Sequence, residues 1–350
     1  MRYVVLAFLV ACHGHPEAGL HDLVQRTVTD ERIAGLAVHI EKDGHVLLHA
    51  GFGTTDAGSG APITPDMVFP IGSVTKSFTA ACVMKLVEQG KLALTDPVAK
   101  YVPELHDDPT TIEQLLHQTA GFEDFARRGN LGKTNTELVT TIAATPHTFA
   151  PGTRWAYSNT NYFLLGRAIE AAGGGSYAHQ ITQQVIEPLG LTHTAFCTDA
   201  VVPRPTMDFL GHTKHGFWFD PRFYDAAGAL CSNTTDLAHY AKTMFTGTLL
   251  KPSSVDFLRT PTKGSSYGAG WVIDQVGTHA RIWHNGGVPG GYASHVSWYP
   301  DDKLTIVLLS NTDDNATIDA LDATLARAVL GIPQPPKLQS LRGSGADPWR

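Results

Sequence analysis

The chain has 350 residues, of which 43% are hydrophobic, and a formal net charge of −7 at pH 7. This length and composition predict a globular protein with an ample core, built as one large domain or two lobes. The negative charge and the lack of a basic run argue against a nucleic-acid partner. No apolar stretch approaches the roughly 20 residues of a transmembrane helix.

The N-terminal sequence, MRYVVLAFLVACHG, has a basic residue and a short apolar run that ends in Leu-Val-Ala-Cys. This pattern is typical of an export signal with a lipobox, and it predicts a signal peptide over 1–11, a lipidated Cys12 and a short tether over 12–21. The protein is then exported to the bacterial cell envelope, as a periplasmic or membrane-anchored lipoprotein, and touches the membrane only through Cys12. The alternative is a buried N-terminal strand.

Helix and strand patterns alternate along the rest of the chain in a definite order. A helix over 20–34 precedes two alternating runs about Asp43-Gly44, which predict a β-hairpin. Helical patterns broken by proline and glycine then follow near 73–89, 111–118, 135–144, 159–172, 176–187 and 234–246. Strand patterns return in YGAGWVID, ARIWHNGG and YASHVSWYPDDKLTIVLLSN, and a helix near 316–330 ends the ordered sequence.

This order predicts an α/β (α+β) fold with strands at both ends of the chain. One antiparallel sheet forms from the N- and C-terminal segments and is flanked by helices, and the middle of the chain forms a mostly helical second lobe beside a cleft. We expect a single catalytic domain over 22–331, with an α/β lobe from 22–71 and 265–331 and a helical lobe from 72–264. The Pro-, Gly- and Ser-rich tail over 332–350 is predicted to be disordered.

Ser73 and Lys76 open an apolar helix in the stretch FPIGSVTKSFTAACVMKLVEQG. One interpretation makes Ser73 an N-cap and sends Lys76 to solvent, but a lysine is unfavourable at the positive end of a helix. Residues three apart share a helix face. The alternative is therefore chemical: Lys76 abuts Ser73 and helps to take its proton.

Two further stretches carry polar groups at element boundaries. Tyr157-Ser158-Asn159 comes just before a predicted helix, and His284-Asn285-Gly286-Gly287 closes an apolar strand, where glycines let the backbone approach a ligand. Each stretch taken alone fits an ordinary loop or strand end.

Together, S-x-x-K at 73–76, Y-x-N at 157–159 and H-x-G at 284–286 resemble the motifs of the penicillin-recognising serine hydrolases. This family holds the class C β-lactamases, the serine D,D-peptidases and related esterases. The resemblance runs over about 22–331 and includes TIEQLLHQTAGF and AAGALCSNTTDLAHYA. It implies a β-lactamase/transpeptidase-like fold and an acyl-enzyme mechanism that requires no metal or other cofactor.

The resemblance also implies roles for the motif residues. Ser73 is the nucleophile, and Lys76 and Tyr157 share the proton transfers, as a neutral lysine or a tyrosinate, without an assignment of the proton to either one. Asn159 holds Lys76 and the side-chain amide of the substrate.

The late strand supplies the remaining groups that the resemblance implies. His284 lines the site opposite Tyr157, and His284 and Gly286 bind or support the substrate. The backbone N–H groups of Ser73 and Gly287 form the oxyanion hole. Class C β-lactamases usually carry lysine at the position of His284, and neutral histidine attracts a substrate carboxylate only weakly.

The departure at His284 bears on the substrate. It favours an esterase, an amidase or a peptidase acting on D-amino-acid peptides, with a small ester, amide or peptide as substrate. Separately, we expect a monomer. A true β-lactamase and a sensory protein that binds β-lactams or peptidoglycan without turnover are the alternatives. The loops at 122–134 and 200–224 are expected to shape the pocket.

Other reactive residues are expected to be structural. Cys197 and Cys231 can pair if the protein reaches an oxidising compartment, and Cys82 is expected in the core. The run GSSYG matches a nucleophile-elbow pattern, but a strand rather than a helix follows Ser265 and Ser266, so neither is expected to be the nucleophile. His212 and His215 lack a completing ligand set for a metal and are expected at the cleft rim or surface.

Overall fold

The computed structural model describes residues 16–55, 60–128, 130, 132–197, 220–289 and 291–335. The strands in chain order are β1 (Gly35–Lys42), β2 (His45–Gly53), β3 (Phe69–Pro70), β4 (Ala195–Phe196), β5 (Leu230–Ser232), β6 (Val272–Val276), β7 (His279–Val288), β8 (Tyr292–Tyr299) and β9 (Leu304–Ser310). Six of them form one antiparallel sheet in the order β2-β1-β9-β8-β7-β6, and β3-β5-β4 form a small second sheet.

The α-helices of the described chain are α1 (Pro16–Asp30), α2 (Thr75–Glu88), α3 (Ile112–Leu116), α4 (Asn135–Ala143), α5 (Asn159–Gly173), α6 (Tyr177–Ile181), α7 (Thr234–Phe245), α8 (Pro252–Arg259) and α9 (Asn315–Leu330). Helices α1 and α9 pack on one face of the large sheet, and α7 packs on the other. The N-terminal hairpin thus meets the C-terminal strands through the pairing of β1 with β9.

The alternation of side chains along β1 explains the two layers of core. Leu36, Val38 and Ile40 point to one face and pack in a cluster that includes Leu321 and Leu325 of α9. Ala37, one residue out of phase, belongs to the larger core on the other face. Because successive strand residues face opposite sides, a run this apolar on both faces indicates a strand covered by helices on both faces.

The predicted hairpin between β1 and β2 is confirmed. Asp43 and Gly44 both adopt positive φ, 52° and 80°, as a two-residue turn of type I′ requires. Glycine reaches this conformation without strain, and aspartate tolerates it better than most residues.

Helix α2 lies at the junction between the sheet and the helical region. Its side chains are buried from Thr75 to Met84, and Phe78 stacks on Tyr240 of α7. A helix that is apolar all round must be surrounded by protein, so the Lys76 ammonium has to find its partners inside.

The α+β class, with an antiparallel sheet built from both ends of the chain, is confirmed. The segment predicted as one helix over 176–187 is α6 followed by a π-helical turn, Thr182–Ile186. Helix α8 was not predicted. Within the described residues, no helix has both the length and the apolar character to cross a bilayer. The domain boundaries and the disordered tail stay predictions.

Candidate active site

Ser73 lies in a short 3₁₀ turn, Gly72–Val74, that leads into α2. Gly72 has a φ of 47°, and a Cβ at this position would lie 2.8 Å from the carbonyl oxygen and 2.9 Å from the nitrogen of Gly287 on β7. Glycine is therefore required twice over, for its conformation and for the close approach. The turn that carries Ser73 is pressed directly against the sheet.

Lys76 is fully buried and makes three hydrogen bonds at its Nζ atom. The partners are the Oγ atom of Ser73 at 2.9 Å, the Oδ1 atom of Asn159 at 2.8 Å and the carbonyl oxygen of Ala227 at 2.7 Å. These contacts explain how an apolar helix accommodates a lysine: its head group meets polar partners rather than the core. Burial lowers the pKa of Lys76 to about 7, although the nearby Asp124 carboxylate opposes the shift.

Tyr157 approaches Ser73 from the segment before α5. Its hydroxyl donates to the Oγ atom of Ser73 at 2.9 Å, and its ring centroid lies 4.9 Å from the Nζ atom of Lys76. Burial raises the pKa of Tyr157 well above 10, and the neighbouring Tyr267 adds to the shift. Tyr157 is therefore a neutral phenol at physiological pH, whereas Lys76 is close to its titration midpoint.

Asn159 begins α5 and is held by an aspartate. Its Nδ2 atom donates to the Oδ2 atom of Asp124 at 3.0 Å, which directs its Oδ1 atom to Lys76. A carboxylate only accepts hydrogen bonds, so Asp124 fixes the orientation of this amide.

The two predicted glycines of β7 make the strand fit the Ser73 turn. A Cβ on Gly286 would lie 2.1 Å from the carbonyl oxygen of Ile71 and 2.8 Å from the nitrogen of Ser73, and one on Gly287 would lie 2.6 Å from the Nδ2 atom of Asn315. The backbones of the two segments are therefore in direct contact. This places the N–H groups of Ser73 and Gly287 in adjacent segments, as an oxyanion hole needs.

His284 faces the protein interior behind these groups. It is fully buried, its Nδ1 atom lies 2.5 Å from the carbonyl oxygen of Asn285, and its Nε2 atom lies 3.3 Å from the hydroxyl of Tyr267. Burial, and then the charge of Lys76, lower the pKa of His284 to about 3, so the imidazole is neutral. His284 lies on the same face of β7 as Gly286, the face that meets Ser73, and its predicted place opposite Tyr157 stays a prediction.

A cavity of about 260 Å³ opens above Ser73. Its described lining consists of Gly72, Ser73, Tyr157, Asn159, Tyr224, Ala227, Gly228, Asn285, Gly287, Pro289, Asp313 and Asn315. From β7 the described lining includes Asn285 and Gly287, and of these two Asn285 has a side chain. Three predicted residues, Ser73, Tyr157 and Asn159, share this cavity with the backbone of Gly287.

The other reactive residues lie apart from this cavity. Cys197 and Cys231 form a disulfide bond between the end of β4 and β5, and Cys82 is a buried free thiol. Ser265 and Ser266 lie in a turn before β6, as expected from the strand that follows them. Cys12, His212 and His215 lie outside the described residues, and in the described part no three histidine, cysteine or acidic side chains are grouped to hold a metal.

Sequence reasoning missed three contributors to the site: Asp124, Ala227 and Asn285. Asp124 lies in the loop over 122–134 that was expected to shape the pocket, but nothing in the sequence pairs it with Asn159. Ala227 acts through its backbone carbonyl, which has no side-chain signature.

Comparison with known proteins places the chain in a family. A family model described as beta-lactamase matches residues 20–331. The chain belongs to this beta-lactamase family, and the family supports the sequence-based interpretation of a serine hydrolase.

The chain is also similar to an individual protein of known sequence. Protein flp of Staphylococcus aureus (strain MRSA252) is 27% identical over 317 residues, which is 83% of this chain and 62% of that protein. The chain therefore spans less than two thirds of the length of this relative.

Solved structures share the fold over most of their length. The octameric penicillin-binding protein homologue from Pyrococcus abyssi has a TM-score of 0.77 and 26% identity, covering 90% of this chain and 77% of its own. The D-amino acid amidase from Ochrobactrum anthropi SV3, complexed with L-phenylalanine amide, has a TM-score of 0.78 and 23% identity, covering 89% and 99%. At this identity the amidase supports the fold alone.

Proposed function

We propose that the protein is a serine hydrolase that forms an acyl-enzyme on Ser73. The observation that carries this proposal is the position of the Ser73 Oγ atom, 2.9 Å from both the Lys76 Nζ atom and the Tyr157 hydroxyl. A hydroxyl held between two groups that exchange protons, beside a cavity, has the arrangement of an activated nucleophile.

Neutral Lys76 is the base in this proposal. Two of its directions are taken by acceptors, the carbonyl oxygen of Ala227 and the Oδ1 atom of Asn159, and both must receive N–H groups. A neutral amine then has its lone pair left for the third direction, where the Ser73 hydroxyl lies. The lowered pKa of Lys76 makes this neutral form accessible near pH 7.

Acylation follows from this geometry. The Ser73 Oγ atom attacks the substrate carbonyl as its proton passes to Lys76, and the oxyanion that forms takes hydrogen bonds from the N–H groups of Ser73 and Gly287. When the bond to the leaving group breaks, the proton on Lys76 moves to that group through the Tyr157 hydroxyl. Water then attacks the acyl-enzyme and its proton passes to Lys76 along the same path. As the bond to Ser73 breaks, Lys76 returns this proton to the Ser73 Oγ atom, and the acid leaves.

We propose small amides, esters and peptides as substrates, in preference to β-lactams. His284 is neutral and buried, so it offers no charge to a substrate carboxylate. The structural neighbour named as a D-amino acid amidase shares this fold, so D-amino-acid amides are included among the candidates.

A paired turnover assay tests the function. We expect hydrolysis of p-nitrophenyl acetate by the wild type to exceed hydrolysis of a chromogenic cephalosporin, and both rates to fall by roughly a thousandfold or more in Ser73→Ala. Ser266→Ala is the matched control. Ser266 is an exposed serine in the run GSSYG, which matches the nucleophile-elbow pattern, and the Ser266→Ala variant should retain wild-type rates.

Three outcomes contradict parts of the proposal. Ester hydrolysis that persists in Ser73→Ala removes Ser73 from the mechanism. Faster turnover of the cephalosporin than of the ester makes the protein a β-lactamase. A stable acyl adduct without turnover, seen in the intact mass, makes it a sensory protein.

The cellular setting is a separate proposal. The lipobox ending at Cys12 and the disulfide between Cys197 and Cys231 support export to an oxidising compartment with a lipid anchor. Wild-type protein should fractionate with membranes and Cys12→Ala should not. A soluble wild-type protein would contradict the anchor. We also propose a monomer, and light scattering that gives a multiple of 37.7 kDa would contradict it.

A further inference from the structure

Asn285 is the side chain through which the sheet reaches the cavity, and an aspartate holds it on the opposite side. It is nearly fully buried, and its Nδ2 atom donates to the Oδ2 atom of Asp319 on α9 at 2.7 Å. Asn285 is the variable middle residue of the H-x-G motif at 284–286.

Asp319 is itself fixed by a buried histidine. The Nδ1 atom of His295, which pairs with Asn285 across β7 and β8, lies 2.7 Å from the Oδ1 atom of Asp319. The Nε2 atom of His295 lies 3.4 Å from the Oδ2 atom of Asp322, and its ring stacks on Trp283. Burial alone would lower the pKa of His295, but the carboxylates of Asp322 and Asp319 raise it to about 9, so the imidazole is charged at neutral pH.

These contacts determine which end of the Asn285 amide faces the cavity. A carboxylate that receives a hydrogen bond from a charged imidazole is an acceptor, so the NH₂ group of Asn285 must point to Asp319. The Oδ1 atom then lies on the other side. It accepts no hydrogen bond from a described residue, and it is not among the buried atoms sealed without a partner.

The charged residues around the cavity also disfavour a substrate carboxylate. Among its described lining residues no lysine or arginine is present, and the one charged side chain is the carboxylate of Asp313. Lys76 lies beneath the floor with its three directions occupied. The described lining therefore contains no cation that would hold a substrate carboxylate.

We infer that Asn285 is a specificity-determining residue whose Oδ1 atom, aimed by Asp319 and His295, selects substrates that carry an ammonium group or another N–H donor near the scissile carbonyl and disfavours those that carry a carboxylate there. This inference rests on the proposed function for the location of the scissile bond. Within that function it names amino-acid amides and esters with a free amine as the substrate class. Asp319 and His295 are positioning residues.

Calorimetric titration of the Ser73→Ala protein tests the inference without turnover. The probes are D-phenylalanine amide, its N-acetyl derivative and its N-succinyl derivative, which place an ammonium, a neutral amide and a carboxylate at the same point, and the L-series is run in parallel. We expect the better-bound series to favour the ammonium form over the succinyl form by roughly tenfold or more. The acetyl form separates the effect of bulk from that of charge.

Two added substitutions test the orientation of the amide. Asp319→Asn lets the Asn285 amide turn its NH₂ group to the cavity, so the tenfold preference should fall to about one. Asn285→Leu removes the acceptor and should abolish the preference as well, which gives a second variant if Asp319→Asn folds poorly. The matched control is Asp302→Asn, which breaks another histidine–aspartate pair, with His279, away from the cavity, and it should keep the preference.

The inference is overturned if the succinyl form binds as tightly as the ammonium form or if the ammonium form does not bind. It is also overturned if the preference is unchanged in both Asp319→Asn and Asn285→Leu. None of these outcomes touches the proposed function, which fails if hydrolysis by the wild-type protein does not depend on Ser73 or if Ser73 is acylated without turnover.

Discussion

The two walls of the cavity use the same device with different results. On the helical side Asp124 holds the NH₂ group of Asn159, and on the sheet side Asp319 holds that of Asn285. The oxygen of Asn159 is taken up by Lys76, whereas the oxygen of Asn285 has no described donor. The first asparagine thus serves the proton transfers, and the second is left for the substrate.

The difference shows how one arrangement of side chains separates chemistry from selection. An amide has a donor end and an acceptor end, and a buried carboxylate decides which end is presented. Damage to the helical wall should reduce the rate with every substrate. Damage to the sheet wall should change which substrate is preferred.

Lys76→Ala should have the largest effect, because it removes the base from the helical wall. We expect kcat/KM for p-nitrophenyl acetate to fall by about a thousandfold or more, with the fold retained by circular dichroism. Lys85→Ala is the matched control on the same helix, since Lys85 reaches only the carbonyl oxygen of Leu249 at 3.3 Å. A Lys76→Ala enzyme close to the wild-type rate would exclude this lysine as the base.

Asp124→Asn should have the next largest effect. In the wild type, kcat/KM should rise with pH through about 7 as Lys76 loses its proton. The Asp124 carboxylate raises the pKa of Lys76, so its neutralisation should move this rise to lower pH. Above the rise, kcat should fall by roughly tenfold for all substrates because Asn159 is no longer oriented. A pH–rate profile checks both effects, and a rise that moves to higher pH would contradict the assignment.

His295→Gln tests the anchor of the sheet wall through stability. The pKa of His295 is raised from 6.5 to about 9 in the folded protein, so its stabilising contribution is complete below about 6.5 and is lost as pH rises through 9. The charge of His295 alone should lower the free energy of unfolding by up to about 3 kcal/mol over this interval. Because Lys76, with its pKa of about 7, titrates there with the opposite sign, the quantity to compare is the difference between the wild type and the variant. Urea unfolding at several pH values measures it, and the variant should lack most of this decline. An equal decline in both proteins would show that His295 is not charged.

Asp302→Asn should have the smallest effect. The pair of Asp302 with His279, at 2.8 Å, is partly exposed and joins the ends of two strands. Partly exposed pairs contribute about 1 kcal/mol or less, so the change in stability should be within that range at pH 6 and kcat/KM should not change. A loss of activity here would mean that the sheet transmits disturbance to the cavity, and it would weaken the contrast between the walls.

Much of the fold could be predicted because its signals are local. The turn at Asp43-Gly44 and the capping box at Thr134, which begins α4, are short-range patterns with a direct physical cause. Helix α8 was missed because Pro252 and the polar residues after it suggest a loop, although proline is well suited to the first turn of a helix.

The site was predictable where a motif fixes residues at short spacing. Ser73 and Lys76 are neighbours by helix geometry, and the resemblance brought Tyr157 to them across more than 80 positions. The aspartates behind the two asparagines were not predictable, since Asp124 and Asp319 meet their partners only through the packing of distant segments. The contact of Asn285 was not predictable for the same reason, since its partner Asp319 lies 34 positions away on α9.

The contact between Gly72 and β7 has a consequence for how this protein can diverge. The proposed oxyanion donors belong to the backbone, so no substitution other than proline deletes them. The glycines at 72 and 286 are the positions where any side chain would force the two segments apart. The chemistry is thereby shielded from most sequence drift. Asn285 and Asp319 act through their side chains, so substitutions can change them. One or two such substitutions could change the preferred substrate in a descendant protein while the catalytic residues stay the same.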